Sequence, residues 1–138
     1  MEQRLSFVTL MVADVAASRR FYVDGLGWHP AFEAPGEVLM VQVADKVVLS
    51  LWDRSAAEVE LGPIGPITVV APVTLAHNVA TPHDVDAVLA SARAAGASAV
   101  HDGTHRAWGG YSGYFADPDG FRWEIAWNPG PIGAVVLP

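Results

Sequence analysis

The sequence predicts an α+β fold in which one series of elements, strand, helix, then strands, occurs twice. Three observations carry this reading. Each series opens with a strand-like run that leads into a capped, glycine-terminated helix. Each continues into apolar runs of strand length. A Pro/Gly-rich stretch, Leu61-Gly-Pro-Ile-Gly-Pro-Ile67, separates them and suits neither a helix nor a central strand.

In the first series, Leu5–Val12 reads as a strand. Asp14 offers an N-cap for a helix to about Asp24, with Ala17 and Phe21 on one face and Gly25 and Gly27 ending it. Val38–Val43 and Lys46–Trp52 form a hairpin around Ala44-Asp45. In the second, the strand material of Ile67–Val79 is interrupted by Pro72. Thr81-Pro82-His83-Asp84 supplies an N-cap, a proline at the first helical position and an acid three residues on. Val85, Val88, Leu89 and Ala92 make the buried stripe, and Gly96 stops the helix. Ala97–Val100 is followed by a predicted loop through Gly110, then strands Tyr111–Ala116 and Phe121–Trp127. These two flank Asp117-Pro-Asp-Gly120, a turn of type I composition. Both helix caps fall two residues past a valine, Val12 and Val79, as in an internal duplication. The expected organisation is one domain over residues 1–138, with module one at about 5–60, a joint at 61–67, module two at about 68–128 and a tail at 129–138.

The composition is globular: 138 residues, 51% hydrophobic and 17% charged. Net charge is −7, with 8 Lys+Arg against 15 Asp+Glu and no basic run. That balance disfavours nucleic acid and anionic membrane surfaces, which need clustered positive charge. Without cysteine, disulfides, zinc thiolates and thiol nucleophiles are excluded. No apolar run reaches the ~20 residues of a membrane span, and the N-terminus lacks a signal-peptide pattern. A cytoplasmic location is expected.

Two segments resemble the vicinal-oxygen-chelate superfamily of glyoxalases, bleomycin-resistance proteins and extradiol dioxygenases. One is Phe7–Asp14 with Ser18–Tyr22 and Gly25-Leu-Gly27; the other is Tyr114-Phe-Ala-Asp-Pro-Asp-Gly-Phe-Arg-Trp-Glu-Ile125. The resemblance spans about residues 5–128. It implies two βαβββ modules curved into a partly open barrel around a cavity, and a homodimer. It also implies four inward positions that hold His or Glu metal ligands in the metal-dependent members. Matched residue by residue, these fall on Phe7, Ser50, Thr74 and Glu124.

Only Glu124 is a good metal ligand. A divalent metal in an enzyme site generally keeps three protein ligands. The expectation is therefore no metal and no cofactor, with a divalent metal as the lesser alternative. His77 lies an odd number of residues from Thr74 and so points to the opposite face. His101 and His105 flank Gly103 in the predicted loop and read as solvent-facing, or one of them as reaching the cavity mouth. Trp108-Gly-Gly-Tyr-Ser-Gly-Tyr114 reads equally as a ligand wall or as core packing with a bulge. Alternation puts Arg122 and Ala126 on the face of Glu124, and Val48 and Trp52 on that of Ser50, with Gln42 able to join them.

The expected cavity wall comprises Gln42, Ser50, Trp52, Thr74, Trp108, Tyr111 or Tyr114, and Glu124. It suits a flat or amphipathic organic ligand, and the acidic charge suits a cationic one. Glu124 either pairs with Arg122 and is structural, or sits in an apolar pocket as acid or base. Two functions follow: a metal-free protein that binds or sequesters a small organic molecule, or a lyase, isomerase or dioxygenase that uses Glu124 or a metal. The apolar tail is expected to pack on the domain or on a partner subunit.

Overall fold

The computed structural model describes residues 1–66 and 68–137; Ile67 at the end of the predicted joint and Pro138 at the end of the tail lie outside them. The chain divides into two compact units, Met1–Pro66 and Ile67–Pro138.

The first unit runs β1 (Phe7–Val12), α1 (Val15–Arg19), a π-helical turn (Arg20–Gly25), β2 (Phe32–Ala34), β3 (Val38–Ala44), β4 (Val47–Asp53) and α2 (Arg54–Leu61). The second runs β5 (Thr74–Asn78), α3 (Pro82–Ala94), β6 (Ser98–His105), β7 (Tyr111–Ala116), β8 (Arg122–Trp127) and α4 (Pro131–Val136). Both units are βαβββ with a trailing helix. Each builds a four-stranded mixed sheet, ordered β1-β4-β3-β2 in the first and β5-β8-β7-β6 in the second. The first and last strands of each series pair in parallel and the remaining neighbours are antiparallel. The α+β class and its two modules are as the sequence implies. The ladders close within each module, so the strands form two sheets and not a closed barrel.

Local chemistry explains the elements. The Asp14 carboxylate accepts from Ala16 N at 2.8 Å and starts α1. Thr81 Oγ1 accepts from Asp84 N at 3.2 Å and donates to the Asp84 carboxylate at 2.7 Å, which starts α3. Gly96 ends that helix at φ +98.

The sequence reading differs from the structure in four places. Helix α2 was not expected; its signal is Asp53, which caps Ala56 N at 3.0 Å and also takes a hydrogen bond from Ser55 Oγ. The three-residue β2, set between prolines, is too short to show a period. The tail folds into α4. Strand β6 continues to His105, so the first half of the segment read as a loop is strand. Register shifts around His101 absorb its irregularity, with Ala99 at φ +45. His101 and His105 are thus exposed strand residues.

In the first unit, Leu10, Val12, Leu39, Val41, Leu49 and Leu51 are buried on one sheet face, and Val15, Phe21 and Tyr22 are buried on the helical segment. In the second, α3 buries Val85, Leu89 and Ala92 and packs on β6, β7 and β8. The rings of Phe115 and Trp123 stack there at 6.2 Å. Gly113 leaves room for α3 and β6: a Cβ there would meet Leu89 Cδ1 at 2.4 Å and the His101 carbonyl at 2.6 Å. Gly113→Ala should therefore lower unfolding stability by about 1–3 kcal/mol, the range for overpacking a core. Urea denaturation followed by circular dichroism checks this; an unchanged midpoint would contradict the packing.

Candidate functional site

The site is built on the sheet face of the second unit that α3 does not cover. Alternation along β8 gives this face Arg122, Glu124 and Ala126, while Trp123 and Ile125 are buried beneath α3. Register extends the face sideways. Glu124 stands opposite Tyr114 on β7 and Ala76 on β5; Ala126 stands opposite Ser112 and Asn78.

The Tyr114 hydroxyl donates to Glu124 Oε1 at 2.7 Å. Among the described residues, Oε2 receives no hydrogen bond. The Arg106 guanidinium lies 5.4 Å from the Tyr114 ring centre, in the range of a cation–π contact. It is itself held by hydrogen bonds to Ser112 Oγ at 3.0 Å and Ser112 O at 2.9 Å. The Tyr114 hydroxyl keeps its proton above the usual range near pH ~10. The first cause is its bond to Glu124, followed by burial and the charge of that carboxylate. Ser112 and Arg106 pull the other way. Tyr114 is therefore a donor across the physiological range, and it orients one carboxylate oxygen while leaving the other open.

Beside Glu124 lies a cleft of about 300 Å³ lined by Asn78, Trp108, Glu124, Ala126, Asn128, Ile132 and Val136. Two glycines make its walls possible. The Trp108 ring lies over Gly110, where a Cβ would come within 1.7 Å of it. Helix α4 is folded against Asn128, whose carbonyl lies 1.9 Å from where a Cβ of Gly133 would stand. Asn128 Oδ1 also accepts from Gly130 N at 2.8 Å. This turn brings Ile132 and Val136 to the cleft.

Of the residues expected in a cavity wall, Trp108 and Glu124 line this cleft, and Tyr114 adjoins Glu124. Tyr111 does not join them. It lies one residue out of phase, on the α3 face, and its hydroxyl donates to Asp86 Oδ1 at 3.0 Å, with the His105 ring 5.1 Å away. That bond to Asp86 is the first cause of its raised pKa. Thr74 is exposed and stands opposite Arg122, away from the cleft. Gln42, Ser50 and Trp52 belong to the first unit. Register puts them on one face there, with Gln42 opposite Val48, Ser50 opposite Met40 and Trp52 opposite Val38. Ser50 is buried, while the Gln42 amide donates to Ala44 O at 3.3 Å. His77 stands opposite Ile125 and so lies on the other face from Glu124. Glu124 takes its hydrogen bond from Tyr114 and none from Arg122.

A divalent metal does not fit these donors. The four implied positions offer a phenyl ring, two hydroxyls and one carboxylate, and Phe7 cannot coordinate. Among the described residues, no group of three His, Asp or Glu side chains could hold a metal ion.

Sequence reasoning missed Asn78, Ala126, Asn128, Ile132 and Val136 as cleft residues and Arg106 as support for Tyr114. Alternation already put Ala126 beside Glu124. The α4 residues depend on a turn that no local period announces.

The model of the Glyoxalase/Bleomycin resistance protein/Dioxygenase superfamily matches residues 4–125, which include Tyr114 and Glu124. The chain belongs to that superfamily. A glyoxalase-related enzyme from Fulvimarina pelagi has a similar structure, with 35% identity and a TM-score of 0.84 over 93% of this chain and 90% of that one. A glyoxalase/bleomycin resistance protein/dioxygenase from Nocardioides shares the fold at 22% identity and TM-score 0.78, over 94% and 89% of the two chains. So does a lactoylglutathione lyase from Agrobacterium tumefaciens, at 22% identity and TM-score 0.68, over 92% and 95%. No curated protein matches the chain.

The Tyr114–Glu124 bond has a pH signature in this superfamily member. Removing it with Tyr114→Phe should cost about 1 kcal/mol at neutral pH. The tyrosine pKa is raised on folding, so its contribution is whole below pH ~10 and is lost as the pH climbs through the folded-state value, where the unfolded chain has already ionised. Denaturation curves of the two proteins should converge above that pH. A gap that stays constant with pH would contradict the assignment.

Proposed function

We propose that this protein binds a small organic molecule in the cleft beside Glu124 and holds a cationic or hydrogen-bond-donating group of that molecule against Oε2. The observation that carries the proposal is the fixed carboxylate. Tyr114 occupies one oxygen and aligns the group, and Glu124 borders a cleft whose lining contains no other charged side chain. Trp108 and the Asn78 and Asn128 amides offer an aromatic face and polar tips, while Ala126, Ile132 and Val136 offer an apolar wall. A cleft of about 300 Å³ is at the small end of the usual range for ligand sites. The net charge of −7 favours the approach of a cation. Binding or sequestration without a metal is the reading that the donor set supports.

A second reading has one specific support. A carboxylate with one oxygen oriented and one open is also the arrangement of a general base, and the 35%-identical structure is described as a glyoxalase-related enzyme. In that reading Glu124 accepts a proton from a bound substrate in a lyase, isomerase or dioxygenase type of reaction. We place the protein in the cytoplasm as a homodimer. No helix among the described residues is long and apolar enough to cross a membrane. Two exposed aromatics on one face of the first sheet, Phe7 and Phe32, support self-association.

Benzylamine, a flat cation of suitable size, should quench tryptophan fluorescence saturably. Glu124→Gln should weaken that binding at least tenfold, about 1.4 kcal/mol, with an unchanged far-ultraviolet circular dichroism spectrum. Equal affinity in the two proteins would refute a role for Glu124 in binding.

A further inference from the structure

Helix α4 lines the cleft with Ile132 and Val136, yet among the described residues its packing against the other elements is sparse. It has six residues, and a helix that short does not hold itself together in water. No side chain caps its start at Gly130, and Gly133 in its middle lowers helix propensity further. Gly133 is also its one buried residue, while Ile132, Val135 and Val136 are 61%, 76% and 49% exposed. The helix is thus seated by a residue without a side chain, and its apolar side chains stand largely in water. Gly133 is outside the left-handed region, so the close approach of the Asn128 carbonyl is what requires glycine there. Side chains left in this state gain stability only when something apolar covers them. Trp108, in the same lining, is 52% exposed as well. An occupant of the cleft covers the indole and α4 together.

We propose that α4 is a lid coupled to the ligand: a molecule in the cleft holds α4 down through Ile132 and Val136, and α4 in turn holds the molecule. This rests on the reading of the cleft beside Glu124 as the binding site. The ligand class narrows accordingly, to a cation or hydrogen-bond donor for Glu124 joined to an apolar body that reaches α4. Such coupling is reciprocal. Whatever the ligand adds to the docked state of α4, docking of α4 adds to the affinity for the ligand. The lid lies beyond the matched residues 4–125, so superfamily membership does not supply it.

Hydrogen–deuterium exchange of the full chain, followed by mass spectrometry, reads the amides of residues 132–137 with and without saturating benzylamine, at a low and a high protein concentration. Benzylamine should slow exchange there by about fivefold or more, equally at both concentrations. Gly133→Ala raises helix propensity but crowds the Asn128 carbonyl. It should therefore weaken benzylamine binding by about fivefold or more in titration calorimetry. The double change Ile132→Ser with Val136→Ser falls on exposed positions and nearly preserves helix propensity, so it keeps the test open should Gly133→Ala fold poorly. Its ligand-free exchange at α4 should match that of the unmodified protein, and the slowing by benzylamine should be lost. Benzylamine that binds without slowing exchange at α4 overturns this inference alone. So does undiminished affinity in Gly133→Ala, or slowing that persists in the double variant. Slowing that follows protein concentration instead of ligand assigns the cover of α4 to a second copy, and likewise overturns it. Failure of benzylamine to bind the unmodified protein overturns the cleft reading and the lid with it.

Discussion

Asp117 holds the hairpin of β7 and β8 from inside. The residue is buried, its N–H donates to the Phe121 carbonyl at 3.0 Å, and its carboxylate accepts from Asp119 N at 3.0 Å and Phe121 N at 2.9 Å. Gly120 closes the turn with φ +92 and donates back to the Asp117 carbonyl at 3.0 Å. The register of the whole hairpin follows, from Ala116 opposite Arg122 to Tyr111 opposite Trp127. A slip of one residue would turn every side chain to the other face. Tyr114 would leave Glu124, and Phe115 and Trp123 would leave α3. Core and site thus depend on the same turn.

The two faces of that sheet do different work. Beneath α3, Leu89, Phe115, Trp123 and Ile125 are buried, and Gly113 lets the helix approach. These contacts are apolar and replaceable by volume. On the opposite face the polar residues are held by one another: Ser112 holds Arg106, Arg106 covers Tyr114, and Tyr114 orients Glu124. Such a chain limits the motion of the carboxylate before any ligand arrives, and an immobile polar group loses less freedom when it binds.

The element order, the α3 cap and stripe, the Asp117–Gly120 turn and the sharing of a face by Arg122, Glu124 and Ala126 were legible in the sequence. Each depends on short-range chemistry or on a period of two or 3.6 residues. The superfamily was legible too, on motifs that the matching model covers. Other features escaped because they depend on packing at a distance. Glycine at 103 reads as loop, yet β6 carries it as part of an irregular strand, since a Cβ there would strike the Tyr111 ring at 2.2 Å. Tyr111 and Tyr114 are both aromatics near glycines, and an odd separation sends them to opposite faces. Asn128 and the α4 residues reach the cleft through a tight tertiary turn that requires Gly133. The partner of Glu124 was open between Arg122 and an apolar pocket, and the structure supplies a third answer, Tyr114.

The proposed site puts ligands on the Glu124 face of the second sheet. Amide and side-chain resonances in nitrogen-edited NMR spectra report this directly during addition of benzylamine. The Trp108 indole N–H and the Asn78 and Asn128 side-chain amides should shift saturably with one dissociation constant, while the backbone amides of His105 and Asp86, on the α3 side, stay in place. Saturable shifts confined to the α3 side, or none at Trp108 and Asn78 while binding is evident by calorimetry, would contradict it.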